Sequence, residues 1–310
     1  MKLSFSVITP SYQQGHFIEE TIQSVLTQKD IEPTDIEYIV CDGGSTDQTI
    51  DILKAYEGKL RWLSEPDGGQ SDAVNKGIEM TDGDIIAWIN SDDIYYSDSF
   101  SIVRKIFEGN PDIEVVYGDA NWIDEFGSFL AKYPVEEWDY QRLKKACYIC
   151  QPAVFFRRSI VRNLGALNVN LNYCMDYELW LRYGCNNNFF YVDTVLAGAR
   201  MYSSNKSLGG RLDAHKEVNA MLFEKIHYVP TTWIASYALV KSERENNLDK
   251  YNDKDLRKLI IYLIFNSLSI AIHRNIMGIP EILLKSVFWL LLPKQTWFKR
   301  AEPILKEIGW

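Results

Sequence analysis

Two adjacent carboxylates, Asp92 and Asp93, follow an apolar run at residues 85–89 after only two polar residues, Asn90 and Ser91. The surrounding segment, DGDIIAWINSDDIYY, predicts a buried strand that ends in polar residues and then in this acidic pair. Like charges at neighbouring positions repel each other unless water reaches both or a cation lies beside them. The pair therefore has two interpretations. It is either a solvated turn, for which Asn, Ser and Asp are ordinary residues, or a divalent cation site built from oxygen ligands.

Three further polar loops also follow predicted strands. Apolar and β-branched runs predict strands at 5–9, 37–41, 60–63 and 84–89, with helix patterns between them. The loops after the first three strands read TPSY, DGGSTD and EPDGGQSD. Alternating strands and helices predict βαβ units and a mainly parallel sheet, in which ligands bind beyond the carboxyl ends of the strands. We therefore expect all four loops at one edge of the sheet, where glycine admits a ligand and carboxylates bind a metal or ribose hydroxyls.

Two local patterns give more specific predictions. Ser45 and Gln48 fit a capping box for the helix that follows the second loop. The segment NWIDEFGSFLAKYP alternates in polarity around a turn at 125–127, which predicts a β-hairpin. The later helical patterns beyond residue 257 are strongly apolar.

The charge distribution separates the C-terminal part from the rest. The 310-residue chain has a formal net charge of -9, which argues against general binding to the nucleic-acid backbone. Residues 251–310 nevertheless carry nine Lys or Arg against five Asp or Glu. The apolar helices in this part lack the ~20 uninterrupted apolar residues of a membrane span. They are predicted either to pack on the body or to lie on an anionic membrane surface.

The cysteines and the N-terminus bear on the compartment. Five cysteines without a disulfide-like spacing favour free thiols in a reducing compartment. The first residues, MKLSFSVITPSY, have too short an apolar run for a signal peptide. We therefore expect a cytoplasmic protein.

Five segments stand in the order and spacing of a known family: VITPSYQQGHFIEETIQSVLTQ, DGGSTDQT, DGGQSDAVNKGI, WINSDD and MDYELWLR. Over residues 3–210 the chain resembles the inverting nucleotide-sugar glycosyltransferases of family 2, which have the GT-A fold. The resemblance implies an α/β fold with a Rossmann-like, mainly parallel central sheet flanked by helices. It implies a glycosyltransferase domain at 1–225, with a nucleotide-sugar half (1–119) and an acceptor half (120–225). A helical, apolar and basic extension follows at 226–310.

The resemblance also implies a role for most of the loop residues. Those implied in nucleotide-sugar binding are Thr9, Pro10, Tyr12, Asp42, Asp67, Gln70, Asp93, Arg200 and Lys206. Asp92 is implied as the ligand of a divalent cation, Mg²⁺ or Mn²⁺. The family's D-x-D motif reads Asn90-Ser91-Asp92 here, so an amide replaces its first carboxylate and weaker metal binding is expected. The segment ARMYSSNKS replaces a His-x-x-Ser-type loop, and its Arg200 and Lys206 are suitable diphosphate partners.

On the acceptor side, the resemblance implies one base and one binding residue. Asp176, in MDYELWLR, matches the carboxylate that removes the proton from the acceptor hydroxyl. The alternative role for Asp176 is a helix N-cap, and the two roles are compatible. Gln151, in CQPAVFFRR, is implied as an acceptor-binding residue, although a simple loop before a buried strand explains it equally well. Glu178 is interpreted as structural.

The function predicted from these features is an inverting hexosyl- or deoxyhexosyltransferase. It transfers a sugar from a nucleoside-diphosphate donor, UDP- or dTDP-linked, to a glycan or lipid-linked acceptor in surface polysaccharide assembly. Residues 257–310 are the predicted contact with the inner face of the membrane. The alternatives are a catalytically silent sugar-nucleotide or membrane-docking module and a glycoside hydrolase, whose paired carboxylates flank the scissile bond.

Overall fold

A computed structural model describes residues 2–203 and 205–246, together with the single residues 258, 261 and 265. The chain divides into two compact units. The first comprises Met1–Tyr140 and Tyr148–Asn205, and the second comprises Gln141–Cys147 and Lys206–Trp310. The domain boundary predicted at 225/226 stays a prediction.

The secondary structure alternates through the first half and becomes helical towards the end. The strands are β1 (Phe5–Ser11), β2 (Ile36–Asp42), β3 (Arg61–Ser64), β4 (Ile85–Trp88), β5 (Ile94–Tyr95), β6 (Val115–Ile123), β7 (Phe129–Lys132), β8 (Val154–Arg157) and β9 (Phe190–Arg200). The α-helices are α1 (Ile18–Leu26), α2 (Thr49–Ala55), α3 (Gln70–Glu79), α4 (Ser99–Gly109), α5 (Tyr140–Leu143), α6 (Arg158–Leu164), α7 (Met175–Gly184), α8 (Lys206–Gly209), α9 (Arg211–Ile226) and α10 (Thr231–Asn246). Two 3₁₀ turns lie at Pro33–Asp35 and Gln151–Ala153.

One sheet runs through the first unit. Among the described residues its strand order is β3-β2-β1-β4-β8-β6-β9-β5, with β7 paired to β6. The first four strands are parallel, whereas β8 pairs antiparallel with both β4 and β6, and β9 returns parallel to β6. The predicted α/β class with flanking helices is confirmed. Parallel pairing describes the half formed by β1 to β4, and the other half is mixed.

The parallel half brings the polar loops to one edge, as the sequence predicted. Ser11 pairs with Asp42 and Asp42 with Ser64, so β1, β2 and β3 end level with one another. All residues of β1 and β4 are buried because helices cover both faces of this part of the sheet. Below the edge, Phe5 stacks on Phe100 with ring centroids 4.7 Å apart. This stacking belongs to the core under the sheet.

The predicted capping box is wrong, whereas the predicted hairpin is confirmed. The N-cap of α2 is Gln48, and no side chain caps the helix there. Ser45 does not serve as the N-cap, because its hydroxyl donates to Asp42 Oδ1 at 2.5 Å instead. Asp47 Oδ1 accepts the backbone N–H of Thr49 at 3.1 Å and so supports the first turn. The hairpin consists of β6 and β7, and Gly127 in its turn has φ 81°.

The described part of the second unit is helical. Helices α9 and α10 are joined by the Asn219 amide, which donates to the backbone carbonyl of Trp233 at 3.2 Å. His215 lies beside the Trp233 ring at 5.9 Å between centroids. Within the described ranges, no helix is long and apolar enough to cross a membrane. The predicted membrane contact at 257–310 falls almost entirely outside these ranges.

Candidate functional site

The two neighbouring carboxylates lie in different surroundings. Asp93 is only 6% exposed, and its Oδ1 accepts the backbone N–H of Arg200 at 2.9 Å. Burial, together with the adjacent charge of Asp92, raises the pKa of Asp93 well above its ordinary value. Asp92 is partly exposed. Burial raises the pKa of Asp92 as well, while a hydrogen bond from the Tyr202 hydroxyl at 2.9 Å opposes that effect. Asp93 therefore supports the loop from inside, and Asp92 is the carboxylate that a ligand can reach.

Asn90, the amide in the first motif position, uses its whole side chain in hydrogen bonds. Its Oδ1 accepts from Gln70 Nε2 at 2.7 Å and from the indole N–H of Trp88 at 3.1 Å. Its Nδ2 donates to Gln151 Oε1 at 2.9 Å and to Asp93 Oδ2 at 3.2 Å. We call these five residues the Asn90 network. They join the start of α3, the end of β4 and the turn at Gln151–Ala153.

Arg200 does not lie where the sequence predicted. Its side chain is 0% exposed, so a diphosphate cannot reach the guanidinium in this conformation. Nε donates to the Asp92 carbonyl at 2.7 Å, and Nη1 donates to the carbonyls of Asp124 and Glu125, each at 3.0 Å. Nη2 pairs with Glu20 at 2.5 Å. The predicted nucleotide contact is corrected: Arg200 fastens the loop that carries Asp92 to the β6–β7 turn.

Tyr202 also belongs to the site, although the sequence predicted no role for it within the ARMYSSNKS segment. Besides its bond to Asp92, its ring packs on Phe17 at 4.8 Å between centroids, and Gln14 Nε2 donates to its hydroxyl at 3.4 Å. Burial and the Asp92 charge raise the pKa of Tyr202, so the hydroxyl remains a donor. The ARMYSSNKS segment was the only signal for Tyr202 in the sequence. Its basic residues are more obvious partners for a diphosphate than the tyrosine hydroxyl is, so they were predicted instead.

Asp42 and Thr9, at the ends of β2 and β1, are both bonded inside the protein. Asp42 is 1% exposed, and its Oδ2 accepts the backbone N–H groups of Gly44 and Ser45 and the hydroxyl of Ser64 at 2.6–3.0 Å. Its predicted nucleotide contact therefore depends on Oδ1, which accepts the Ser45 hydroxyl. The Thr9 hydroxyl shares a hydrogen bond with the Tyr38 hydroxyl at 3.1 Å inside the core.

Pro10 and Tyr12 differ in accessibility. Pro10 is buried, whereas Tyr12 is 62% exposed and presents its ring to solvent at the edge of the sheet. An exposed aromatic ring is a suitable partner for a nucleotide base. Tyr12 is thus the most accessible of the predicted contacts in the first loop.

The third loop opens α3 towards the same edge. Asp67 Oδ1 accepts the backbone N–H of Gly69 at 2.8 Å, and Gly69 has φ 103°, a left-handed conformation that glycine adopts without strain. The next residue, Gln70, reaches Asn90. The structure therefore connects the third loop with the strand-end carboxylates, while Asp67 stays partly exposed.

Asp176 lies in the first turn of α7, two residues after the N-cap Cys174. Its Oδ1 accepts the backbone N–H of Tyr177 at 2.7 Å, and its side chain is partly exposed. Residues 167–171 lead into this helix and are held on α3, because Asn75 exchanges two hydrogen bonds of 2.9 Å with Leu167. The role of Asp176 as a base stays a prediction.

Glu178 and Gln151 are both used inside the protein. Glu178, 1% exposed, pairs with Arg182 through two bonds of 2.9 and 3.0 Å, so it is structural, as predicted. Gln151 Nε2 donates to the Trp88 carbonyl at 2.7 Å and its Oε1 accepts from Asn90. This geometry favours a supporting role for Gln151 and does not support the predicted acceptor contact. Lys206 begins α8 in the second unit, and its predicted donor contact stays a prediction.

The Asp92 carboxylate fits a divalent cation held by one protein ligand. Its Oδ2 is oriented by Tyr202, and its Oδ1 accepts no hydrogen bond from another described residue. Across the residues that the structure describes, no group of three or more His, Cys, Asp or Glu could hold a metal by itself. Mg²⁺ and Mn²⁺ sites with one carboxylate take their other ligands from phosphate and water. The donor set here suits such a shared site.

The chain is similar to known proteins both at the level of a family and at the level of single relatives. The family model for Glycosyl transferase family 2 matches residues 6–165. An uncharacterized glycosyltransferase of Rickettsia prowazekii is 27% identical over 215 residues, covering 64% of this chain and 64% of that protein. The chondroitin synthase of Pasteurella multocida is 24% identical over 265 residues, covering 83% of this chain. The aligned part is only 25% of that synthase.

Solved structures show the same fold. S. aureus TarS 1–349 in complex with UDP-GlcNAc superposes with a TM-score of 0.59 at 18% identity, covering 86% of this chain and 82% of that one. The mannosyltransferase PcManGT of Pyrobaculum calidifontis, in complex with GDP-Man and Mn²⁺, gives a TM-score of 0.57 at 14% identity. It covers 100% of this chain and 86% of that chain. The predicted GT-A fold class is confirmed by this likeness.

Proposed function

The chain belongs to glycosyl transferase family 2, and from this premise we propose that it transfers a sugar, with inversion, from a nucleoside-diphosphate donor to a hydroxyl of a glycan or lipid-linked acceptor. The observation that carries the proposal is Asp92. It is a partly exposed carboxylate beyond the carboxyl end of β4, its Oδ2 accepts from Tyr202, and its Oδ1 accepts no hydrogen bond from another described residue. The predicted donor loops lie at the ends of the neighbouring parallel strands.

In the proposed reaction, Asp176 is the base. The acceptor hydroxyl attacks the anomeric carbon from the side opposite the diphosphate, and Asp176 takes the hydroxyl proton as the new bond forms. The bond between the anomeric carbon and the phosphate oxygen breaks, and the nucleoside diphosphate leaves with the electron pair. A divalent cation bound at Asp92 supplies charge neutralisation for that leaving group. Tyr12 and Asp67 are the accessible contacts proposed for the nucleotide.

The donor class is proposed as UDP- or dTDP-linked hexose or deoxyhexose, and the product as a polysaccharide. Support comes from TarS, whose structure holds UDP-GlcNAc, and from the relative named chondroitin synthase. The chain spans only 21–34% of the length of the chondroitin and hyaluronan synthases that it matches, so the acceptor is inferred at the level of its class. We also propose action at the cytoplasmic face of the membrane, supported by the basic, apolar residues 257–310.

The test is a thermal-shift panel on the full chain with uridine, thymidine, guanosine and cytidine diphosphates, each with Mn²⁺, Mg²⁺ or a chelator. One nucleotide is expected to raise Tm by about 5–10 °C, in a cation-dependent manner, at about a hundredfold excess over its Kd. Asp92→Asn should abolish the cation dependence. The matched control is Asp98→Asn, which removes the same charge from a carboxylate that is 57% exposed. If no nucleotide raises the Tm with any cation, the alternative of a catalytically silent module is favoured instead.

Two further measurements separate the remaining parts of the proposal. Asp176→Asn should keep the nucleotide-induced shift while transfer falls by about 10²–10⁴-fold. Equal loss of the nucleotide-induced shift and of transfer would show that Asp176 supports binding instead of proton removal.

For the membrane proposal, the full chain should sediment with anionic phosphatidylserine vesicles and remain in solution with neutral phosphatidylcholine vesicles. Equal behaviour with both would contradict it.

A further inference from the structure

The orientation of the Asn90 amide follows from its neighbours. An indole N–H only donates hydrogen bonds, so the Asn90 atom that faces Trp88 Nε1 at 3.1 Å has to be the oxygen. Gln70 Nε2 donates to the same oxygen at 2.7 Å. The amide nitrogen consequently points the other way, towards Asp93 Oδ2 and Gln151 Oε1. All four hydrogen-bonding positions of this side chain are thereby satisfied.

A second carboxylate at position 90 cannot reproduce this arrangement. It would accept from Gln70 and Trp88 as the amide does, but its other oxygen would face Asp93 Oδ2 and Gln151 Oε1 without a proton to share. Gln151 cannot turn its amide round to compensate, because its Nε2 already donates to the Trp88 carbonyl at 2.7 Å. With both carboxyls ionised, two buried acceptor–acceptor contacts would result, one of them between like charges. A proton taken up by the pair would bridge only one of these contacts and leave the other.

The network also connects to the cation-binding carboxylate. Asp93, held by Asn90 on Oδ2, binds the Arg200 backbone through Oδ1, and the Arg200 side chain holds the Asp92 carbonyl. Displacement of Asp93 would therefore disturb both of the Arg200 contacts that hold residues 92 and 93. On the other side, the network reaches Gln70 at the start of α3, next to the third donor loop.

We propose that Asn90 is a positioning residue of the donor site, and that the site requires an amide at this position. The amide fixes Asp93 and thereby the direction of the Asp92 carboxylate, so the site works with a single protein carboxylate. Restoring a carboxylate at position 90 weakens the binding of the cation and nucleotide instead of strengthening it. This inference rests on the proposed function, since it concerns the same donor site.

The experiment compares the wild type with Asn90→Asp, Asn90→Ser and the double variant Asn90→Asp/Asp93→Asn. The readouts are the Tm of the substrate-free protein and the apparent Kd for uridine diphosphate with Mn²⁺, or for whichever diphosphate shifts the wild type. In the double variant the amide introduced at position 93 can donate to the carboxylate at position 90 and still accept from the Arg200 backbone. Asn110→Asp is the control, because it adds the same charge and loses one amide bond at an exposed helix end.

Asn90→Asp is expected to lower the Tm and to weaken cation-dependent nucleotide binding by about tenfold or more, as changes to residues that orient a metal ligand do. Asn90→Ser should weaken binding as well, although it changes no charge, and it serves if the aspartate variant does not fold. The double variant should regain Tm relative to Asn90→Asp, a coupling that a double-mutant cycle measures. Asn110→Asp should leave nucleotide binding unchanged.

The outcomes separate the two proposals. If the wild type binds the diphosphate with Mn²⁺ and Asn90→Asp binds it as tightly or more tightly, the position accepts a metal ligand and the inference about Asn90 is wrong. Absence of coupling between positions 90 and 93 in the cycle would also overturn it. If the wild type binds no diphosphate with any cation, the proposed function fails, and the positioning role fails with it.

Discussion

Replacement of Arg200 by lysine tests whether this residue supports the fold or binds the donor. The lysine keeps the positive charge, but it cannot place donors in the three directions that the guanidinium serves. The buried guanidinium bonds three carbonyls, of Asp92, Asp124 and Glu125, in addition to the Glu20 carboxylate. A donor-binding arginine would be exposed at the sheet edge, and its replacement by lysine would leave the stability of the fold unchanged.

The magnitude follows from the bonds that lysine cannot replace. If the ammonium remains with Glu20, at least two carbonyls lose their donor, and each buried acceptor without a partner costs about 1–3 kcal/mol. The carbonyls of Asp124 and Glu125 are only part-buried, so water replaces some of the loss. We therefore expect Arg200→Lys to lower the free energy of unfolding of the first unit by about 2–4 kcal/mol. Its Tm should fall by about 5–10 °C.

The assay is urea unfolding of the full chain followed by tryptophan fluorescence, together with nucleotide titration of the folded variant. Glu20→Gln is the control: Glu20 is 49% exposed and a glutamine oxygen can still accept from Arg200 Nη2, so this change should cost less stability than Arg200→Lys. An Arg200→Lys protein as stable as the wild type but with weaker nucleotide binding would refute the reasoning. That result would support the original prediction that Arg200 contacts the diphosphate.

Three further changes have definite expected outcomes. Tyr202→Phe removes the hydroxyl donor of Asp92 and should raise the apparent Kd for the nucleotide in the presence of the cation by about tenfold. An unchanged Kd would be the contrary result. Gly77→Ala places a methyl group against Ile8, so α3 has to move and the free energy of unfolding should fall by about 1–3 kcal/mol in a urea titration. An equally stable Gly77→Ala variant would show that the contact relaxes. Burial lowers the pKa of His215 to about 4, so the unfolded chain binds more protons between about pH 4 and 6.5. Stability of the second unit should therefore rise with pH across that window, by up to about 1.4 kcal/mol per pH unit, and a His215→Gln variant should show a flatter profile.

The sequence by itself determined the order of strands and helices in the parallel half and the edge at which the polar loops meet. Hydrophobic periodicity is a local property, and the carboxyl ends of consecutive parallel strands lie at one edge whatever the side chains in the loops. The position of the acidic pair at 92–93, beyond a buried strand on that edge, therefore follows from the sequence alone. The mixed half of the sheet was harder to predict from the sequence, because β9 pairs with β6 and these two segments are far apart in the chain.

Only the tertiary structure decided which of these polar residues face a ligand. Arg200 and Lys206 are both cationic candidates in the sequence, but Arg200 is buried and pairs with Glu20, which lies 180 positions away. Asp92 and Asp93 are likewise identical in type, and they differ because the Arg200 backbone binds one and Tyr202 binds the other. Asn90 reads as a lost carboxylate until Gln70 and Gln151 are seen on either side of it. Burial and hydrogen-bond partners are set by contacts between distant segments, and these have no signature in local sequence.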